Sequence, residues 1–91
     1  MEEIKKKALP VLKKAGVTRS SIFGSYVSGE AREDSDVDIL VDFPTGKGLF
    51  EFIGLQQELE RVLGKKVDLG EFSTIKPRIK DQILSQQVRI I

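Results

Sequence analysis

The chain contains no cysteine and no histidine. Disulfides, thiol chemistry, most zinc sites and imidazole acid–base catalysis are thereby excluded, and any proton transfer falls to carboxylates. Tryptophan is missing too, and tyrosine occurs once. No run approaches the roughly 20 apolar residues that a membrane span needs. The start, Met1-Glu2-Glu3-Ile4-Lys5-Lys6-Lys7, lacks the apolar segment of an export signal, so the expected location is cytoplasmic. Neither sign of charge dominates: 15 Lys and Arg against 14 Asp and Glu leave a net charge of +1. Without a broad basic field, nucleic acid is not favoured as the main partner. The 91 residues suffice for a single domain, 1–91, with one modest core. No internal repeat or low-complexity stretch interrupts it.

The chemistry present is concentrated between Gly24 and Asp42. Asp36-Val37-Asp38-Ile39-Leu40-Val41-Asp42 alternates, and a strand sends successive side chains to opposite faces. Val37, Ile39 and Val41 then share one face, with Asp36, Asp38, Leu40 and Asp42 on the other. Residues two apart on a strand are separated by roughly 6.5–7 Å at Cα, which lets Asp36 and Asp38 converge on a cation. Magnesium suits such a pair, because it takes few protein carboxylates and completes its shell with water and phosphate oxygens. A solvated polar face is the plain alternative for any D-x-D. Upstream, Ser20–Phe23 reads as a strand running into Gly24-Ser25, then a helical turn over Tyr26-Val27-Ser28 that Gly29 ends. Gly24 permits close backbone approach, and the N–H groups opening the turn, with the Ser25 hydroxyl, form an anion site. Glu30–Ser35 is a polar connection.

Elsewhere the pattern is scaffolding. Glu2–Lys14 predicts a helix with Ile4, Ala8, Val11, Leu12 and Ala15 on one side and a solvated lysine face on the other. Pro10 is expected to kink or split it. The loop 43–48 contains Gly46-Lys47-Gly48 but does not fit a Walker loop, so Lys47 is read as an exposed lysine. Leu49–Leu63 carries a wide apolar stripe of Leu49, Phe52, Ile53, Leu55, Leu59, Val62 and Leu63, and Gly64 ends it. Lys65–Phe72 reads as a third strand in which Asp68 faces opposite to Val67 and Leu69. Pro77 opens a last predicted helix bearing Ile79, Ile83 and Leu84. The tail Val88-Arg89-Ile90-Ile91 is expected to serve as an interface element, through which the chain would form a homo- or hetero-oligomer; the alternative is that it packs on its own domain, at an open edge of the small sheet.

Gly24-Ser25, Gly29 and Ser35-Asp36-Val37-Asp38-Ile39 resemble the signature of the DNA polymerase beta-like nucleotidyltransferase superfamily. Within it the chain is most similar to the minimal nucleotidyltransferases that pair with HEPN-domain proteins, also over Leu49-Phe50-Glu51, Lys66-Val67-Asp68-Leu69 and Lys76-Pro77-Arg78-Ile79. The resemblance implies an α/β (α+β) fold, a small mixed sheet with helices packed on it, in the order α-β-α-β-α-β-α. It implies nucleotide binding at Gly24 and Ser25, and catalytic metal ligation by Asp36, Asp38 and Asp68 with two Mg2+ ions. It further implies transfer of AMP from ATP to a tyrosine of a HEPN toxin, with the chain acting as antitoxin. Two other functions remain open on the sequence: an antitoxin that acts by binding alone, and a nucleotidyltransferase with a small-molecule acceptor.

Overall fold

The computed structural model describes residues 2–24, 29, 36–44, 46–74 and 87–91. Helix α1 (Glu2–Lys14) leads into strand β1 (Arg19–Phe23). Strand β2 (Val37–Asp42), helix α2 (Leu49–Leu63), strand β3 (Val67–Glu71), a short 3-10 turn (Phe72–Thr74) and strand β4 (Val88–Arg89) follow. The described elements are therefore two helices and a four-stranded sheet, ordered β3-β2-β1-β4. β2 runs antiparallel to β1 and parallel to β3, and β4 pairs antiparallel with β1. The expected mixed sheet is present, and its α+β class stands. The full α-β-α-β-α-β-α order is not seen: the helical turn at 26–28 and the helix opened by Pro77 lie outside the described residues.

Alternation decides which sheet face meets the helices. Ile22, Val37, Ile39, Val41, Val67 and Leu69 are buried together with Ile4, Ala8 and Leu12 of α1 and Leu55 and Leu59 of α2. The residues between them in β2 and β3 form the opposite face, which carries the acids. Helix α1 spans its predicted range without being split at Pro10. Pro10 is exposed, so the Lys6 carbonyl that loses its usual donor lies on the side water can reach. Acidic Glu2 and Glu3 in the first turn and Lys13 and Lys14 in the last complement the helix dipole. Helix α2 begins where Glu51 accepts a 2.9 Å hydrogen bond from the Gly48 N–H, and it ends at Gly64, whose φ of 65° is the left-handed cap conformation.

The apolar stripe of α2 is narrower than predicted. Leu55 and Leu59 are buried, whereas Leu49 and Ile53 are 69% and 38% exposed. At about 100° per residue, the arc centred on Phe52, Leu55, Leu59 and Leu63 faces the core, and Leu49 and Ile53 fall on its flank. Side chains of α2 also close the outer edge of β3. The Val67 N–H donates to Glu60 Oε2 and the Val67 carbonyl accepts from Gln56 Nε2, each at 3.0 Å. An edge strand would otherwise leave those groups open to another chain.

The tail does not meet its expectation as an interface element. Val88 and Arg89 pair with Ile22 and Ser21, and the Ile90 N–H donates to the Ser20 carbonyl at 2.8 Å. Val88, Ile90 and Ile91 are partly buried against the core. The open edge of β1 offers unpaired backbone groups, and the apolar tail supplies a partner with side chains to bury. A chain truncated after Gln87 should therefore lose roughly 2–4 kcal/mol of monomer stability, the equivalent of three half-buried aliphatic side chains. Chemical denaturation of the monomer measures this; an unchanged midpoint would return the tail to an interface role.

Candidate active site

The site is built where β1 ends beside the first residues of β2 and β3. Phe23 lies directly opposite Asp38 in the antiparallel pair, and Asp38 lies opposite Asp68 in the parallel pair. Directly paired residues share a face, so Asp38 and Asp68 project from the same side of neighbouring strands. Asp36 is exposed immediately before β2, two positions from Asp38 and in phase with it. Asp68 is exposed, whereas Asp38 is half-buried. Burial, then the charges of Asp68 and Asp36, raise the Asp38 carboxyl above its ordinary value.

Gly24 follows Phe23 with φ of +77°, a conformation that other residues adopt at a cost. A Cβ there would stand 2.2 Å from Asp38 Oδ2, so the backbone and this carboxylate meet at a distance only glycine allows. Ser25 lies outside the described residues. The structure thus places Gly24, Asp36, Asp38 and Asp68 at one end of one sheet face.

Among the described residues, none of Asp36, Asp38 and Asp68 has a salt-bridge partner. Asp42, on the same face at the far end of β2, differs: its Oδ2 lies 3.3 Å from Arg19 Nε. No three acidic side chains among the described residues close into a ready-made metal cage. Three neighbouring carboxylates with no cation beside them among the described residues nonetheless match the donors magnesium prefers, since it retains positions for water and phosphate oxygens. Lys47 takes no part: it is exposed, and its Nζ donates to the Ala15 carbonyl at 3.2 Å, just beyond the C-terminal end of α1.

Three supporting residues escaped the sequence analysis. Gln56 and Glu60 tie down the backbone of Val67, one residue before Asp68. Phe72 folds back over the acidic face, where its ring packs edge-on against Phe23 at 6.2 Å between centroids and carries the Arg19 guanidinium at 3.9 Å. It thereby braces β1 against the segment following β3, on either side of the strand bearing Asp38. The i, i+4 spacing of two long polar side chains on α2 was the available signal for Gln56 and Glu60. For Phe72 the signal was its phase with Asp68 in the predicted strand Lys65–Phe72, although the strand itself spans only Val67–Glu71 and Phe72 opens the 3-10 turn.

Paired acids behind a glycine at a strand end, on a small mixed sheet, are a donor set of the kind that divalent cations and phosphate groups take. Residues 4–90 match the family model described as the nucleotidyltransferase domain, and the chain belongs to that family. It is 50% identical over 91 residues, covering 100% of this chain and 98% of the other, to a Methanocaldococcus jannaschii protein provisionally named a protein adenylyltransferase. It is 49% identical over 75 residues, 82% of this chain and 76% of the other, to the protein adenylyltransferase MntA of Thermococcus cleftensis. A solved structure described as a minimal nucleotidyltransferase superposes with a TM-score of 0.80 at 37% identity, covering 92% of this chain and 86% of that one. The fold also matches a chain in the complex of tri-AMPylated Shewanella oneidensis HEPN toxin with MNT antitoxin, with a TM-score of 0.74 at 21% identity over 99% of this chain and 71% of that one. Among the described residues no helix is long and apolar enough to cross a membrane.

Proposed function

We propose that the chain transfers AMP from ATP to a hydroxyl of a partner protein, the expected acceptor being a tyrosine of a HEPN-domain toxin that it restrains as an antitoxin. The observation that carries this reading is the position of Asp38, facing Asp68 across the parallel strands and pressed against Gly24. The protein adenylyltransferase relatives at 50% and 49% identity support adenylyl transfer over other nucleotidyl chemistry.

In the proposed reaction the acceptor oxygen attacks the α-phosphorus, the bond from that phosphorus to the bridging β-phosphate oxygen breaks, and pyrophosphate leaves. Gly24 and Ser25 hold the β- and γ-phosphates, the glycine by exposing its backbone. Asp36 and Asp38 would hold one magnesium ion with the triphosphate and would share a second, on the acceptor side, with Asp68. Magnesium bound there supplies neutralisation of the triphosphate charge and favours the ionised acceptor hydroxyl. Gln56 and Glu60 fix the strand from which Asp68 projects, and Phe72 keeps β1 in place against it. Good in-line geometry is worth several powers of ten, so these supports bear on rate without touching substrate.

The division of labour is testable. Asp68→Asn should reduce transfer far more than it reduces metal-dependent ATP binding, while Asp36→Asn should weaken both. Equilibrium binding of a non-hydrolysable ATP analogue, measured beside single-turnover transfer, separates the two. Equal loss of nucleotide affinity in both variants would overturn the assignment of Asp68 to the acceptor side.

A further inference from the structure

The sheet face that carries the aspartates at one end carries two arginines at the other. Arg89 of β4 lies directly opposite Ser21 of β1, and Arg19 stands two residues along β1, so both share the face with Ser21. Together with Gln87 they line a cavity of about 310 Å³, with no carboxylate among its described lining residues. Ser21 is 1% exposed and forms the floor. Each guanidinium is fixed away from its tip. Arg19 Nε meets Asp42 at 3.3 Å and its plane lies on the Phe72 ring, while Arg89 Nε donates to the terminal backbone oxygen of Ile91 at 2.7 Å. Among the described residues, these contacts leave the terminal nitrogens as the part of each fork available to a ligand.

We propose that Arg19, Arg89 and Ser21 form a second anion site, which binds the phosphoryl group of a phosphate ester. Two forks held in advance lose little entropy on binding and match a tetrahedral oxyanion bidentately. The site is distinct from the carboxylate end. Ser21 is two residues, roughly 7 Å, from Phe23 along the strand, and the Phe72 ring packs on both Arg19 and Phe23. The inference does not depend on the activity proposed above. The phosphoryl group has two sources, the monoester of a free nucleotide or the diester formed on a nucleotidylated acceptor.

The test is a 1H–15N NMR titration of the full chain without divalent metal, following the Ser21 amide and the Nε signals of Arg19 and Arg89. Inorganic phosphate, AMP, the dinucleotide diester ApA and acetate are compared at matched ionic strength. Saturable shifts at those three groups with the phosphoryl compounds, and none with acetate, are expected. Tighter binding of AMP than of ApA identifies the free monoester as the source, and the reverse order the acceptor-borne diester. Arg89→Gln should weaken binding at least tenfold, and Arg89→Lys, which keeps the charge and loses the fork, should fall between. Asp38→Asn should leave it unchanged, which separates this site from the proposed transfer site. Absence of saturation, equal response to acetate, shifts confined to Gly24 and Asp38, or wild-type affinity in Arg89→Gln would each overturn the proposal.

Discussion

Asp38→Asn is expected to abolish transfer and, in metal-free buffer at neutral pH, to melt at a higher temperature than the parent chain. The first effect follows from the proposed ligand role. Losing several kcal/mol of charge stabilisation, at about 1.4 kcal/mol per tenfold in rate, corresponds to at least roughly 1,000-fold. The second follows from titration. Burial and the charges of Asp68 and Asp36 place the Asp38 pKa above its unfolded value. The folded state therefore holds the Asp38 proton more tightly than the unfolded chain. Stability declines as pH rises from the unfolded pKa through the raised folded one, and above that window the penalty is fully present. Asparagine keeps the shape and removes the charge. Magnesium should raise the melting temperature of the parent chain by binding the native state, and it should do so much less in the variant. Thermal melts with and without magnesium check this; a variant less stable than the parent in metal-free buffer would show that the carboxylate makes a structural bond instead.

Gly24→Ala should be nearly as damaging to transfer with the metal ligands intact. Its Cβ would lie 2.2 Å from Asp38 Oδ2 at a backbone φ of +77°. Either the carboxylate rotates away or the β1 end moves. Displacement of about 1 Å in a reacting constellation costs on the order of 100-fold, and a left-handed alanine adds roughly 1–2 kcal/mol of strain. Transfer kinetics combined with denaturation separate the two contributions. Parent-like transfer in a folded Gly24→Ala chain would remove the close approach from the account.

Much of this was legible in the sequence because side-chain period reports which face a residue takes. The alternation from Val37 to Asp42 located β2 and placed Asp38 opposite the core, and the same period placed Asp68. Strand partners were less accessible, since period carries no record of what lies alongside. The parallel match of Asp38 to Asp68 and the antiparallel match of Phe23 to Asp38 emerge only from the assembled sheet. The tail was misjudged for the same reason: an apolar terminal strip reads alike whether it covers another molecule or the open edge of β1. The exposed Leu49 and Ile53 show the converse limit, where an apolar stripe is wider than the surface available to cover it. The stacking of Arg19 on Phe72 depends on how the chain turns after β3.

The central claim is that this domain moves AMP, and the position of the label in ATP decides it. Purified chain is incubated with magnesium and a lysate of its source, with ATP labelled in one experiment at the α-phosphate and in a second at the γ-phosphate. The account predicts a labelled protein with α-labelled ATP only, release of the γ-label as pyrophosphate, and loss of the signal on chelating the metal or with Asp38→Asn. Protein labelled from the γ-phosphate, or α-label transfer that persists in Asp38→Asn, would contradict it.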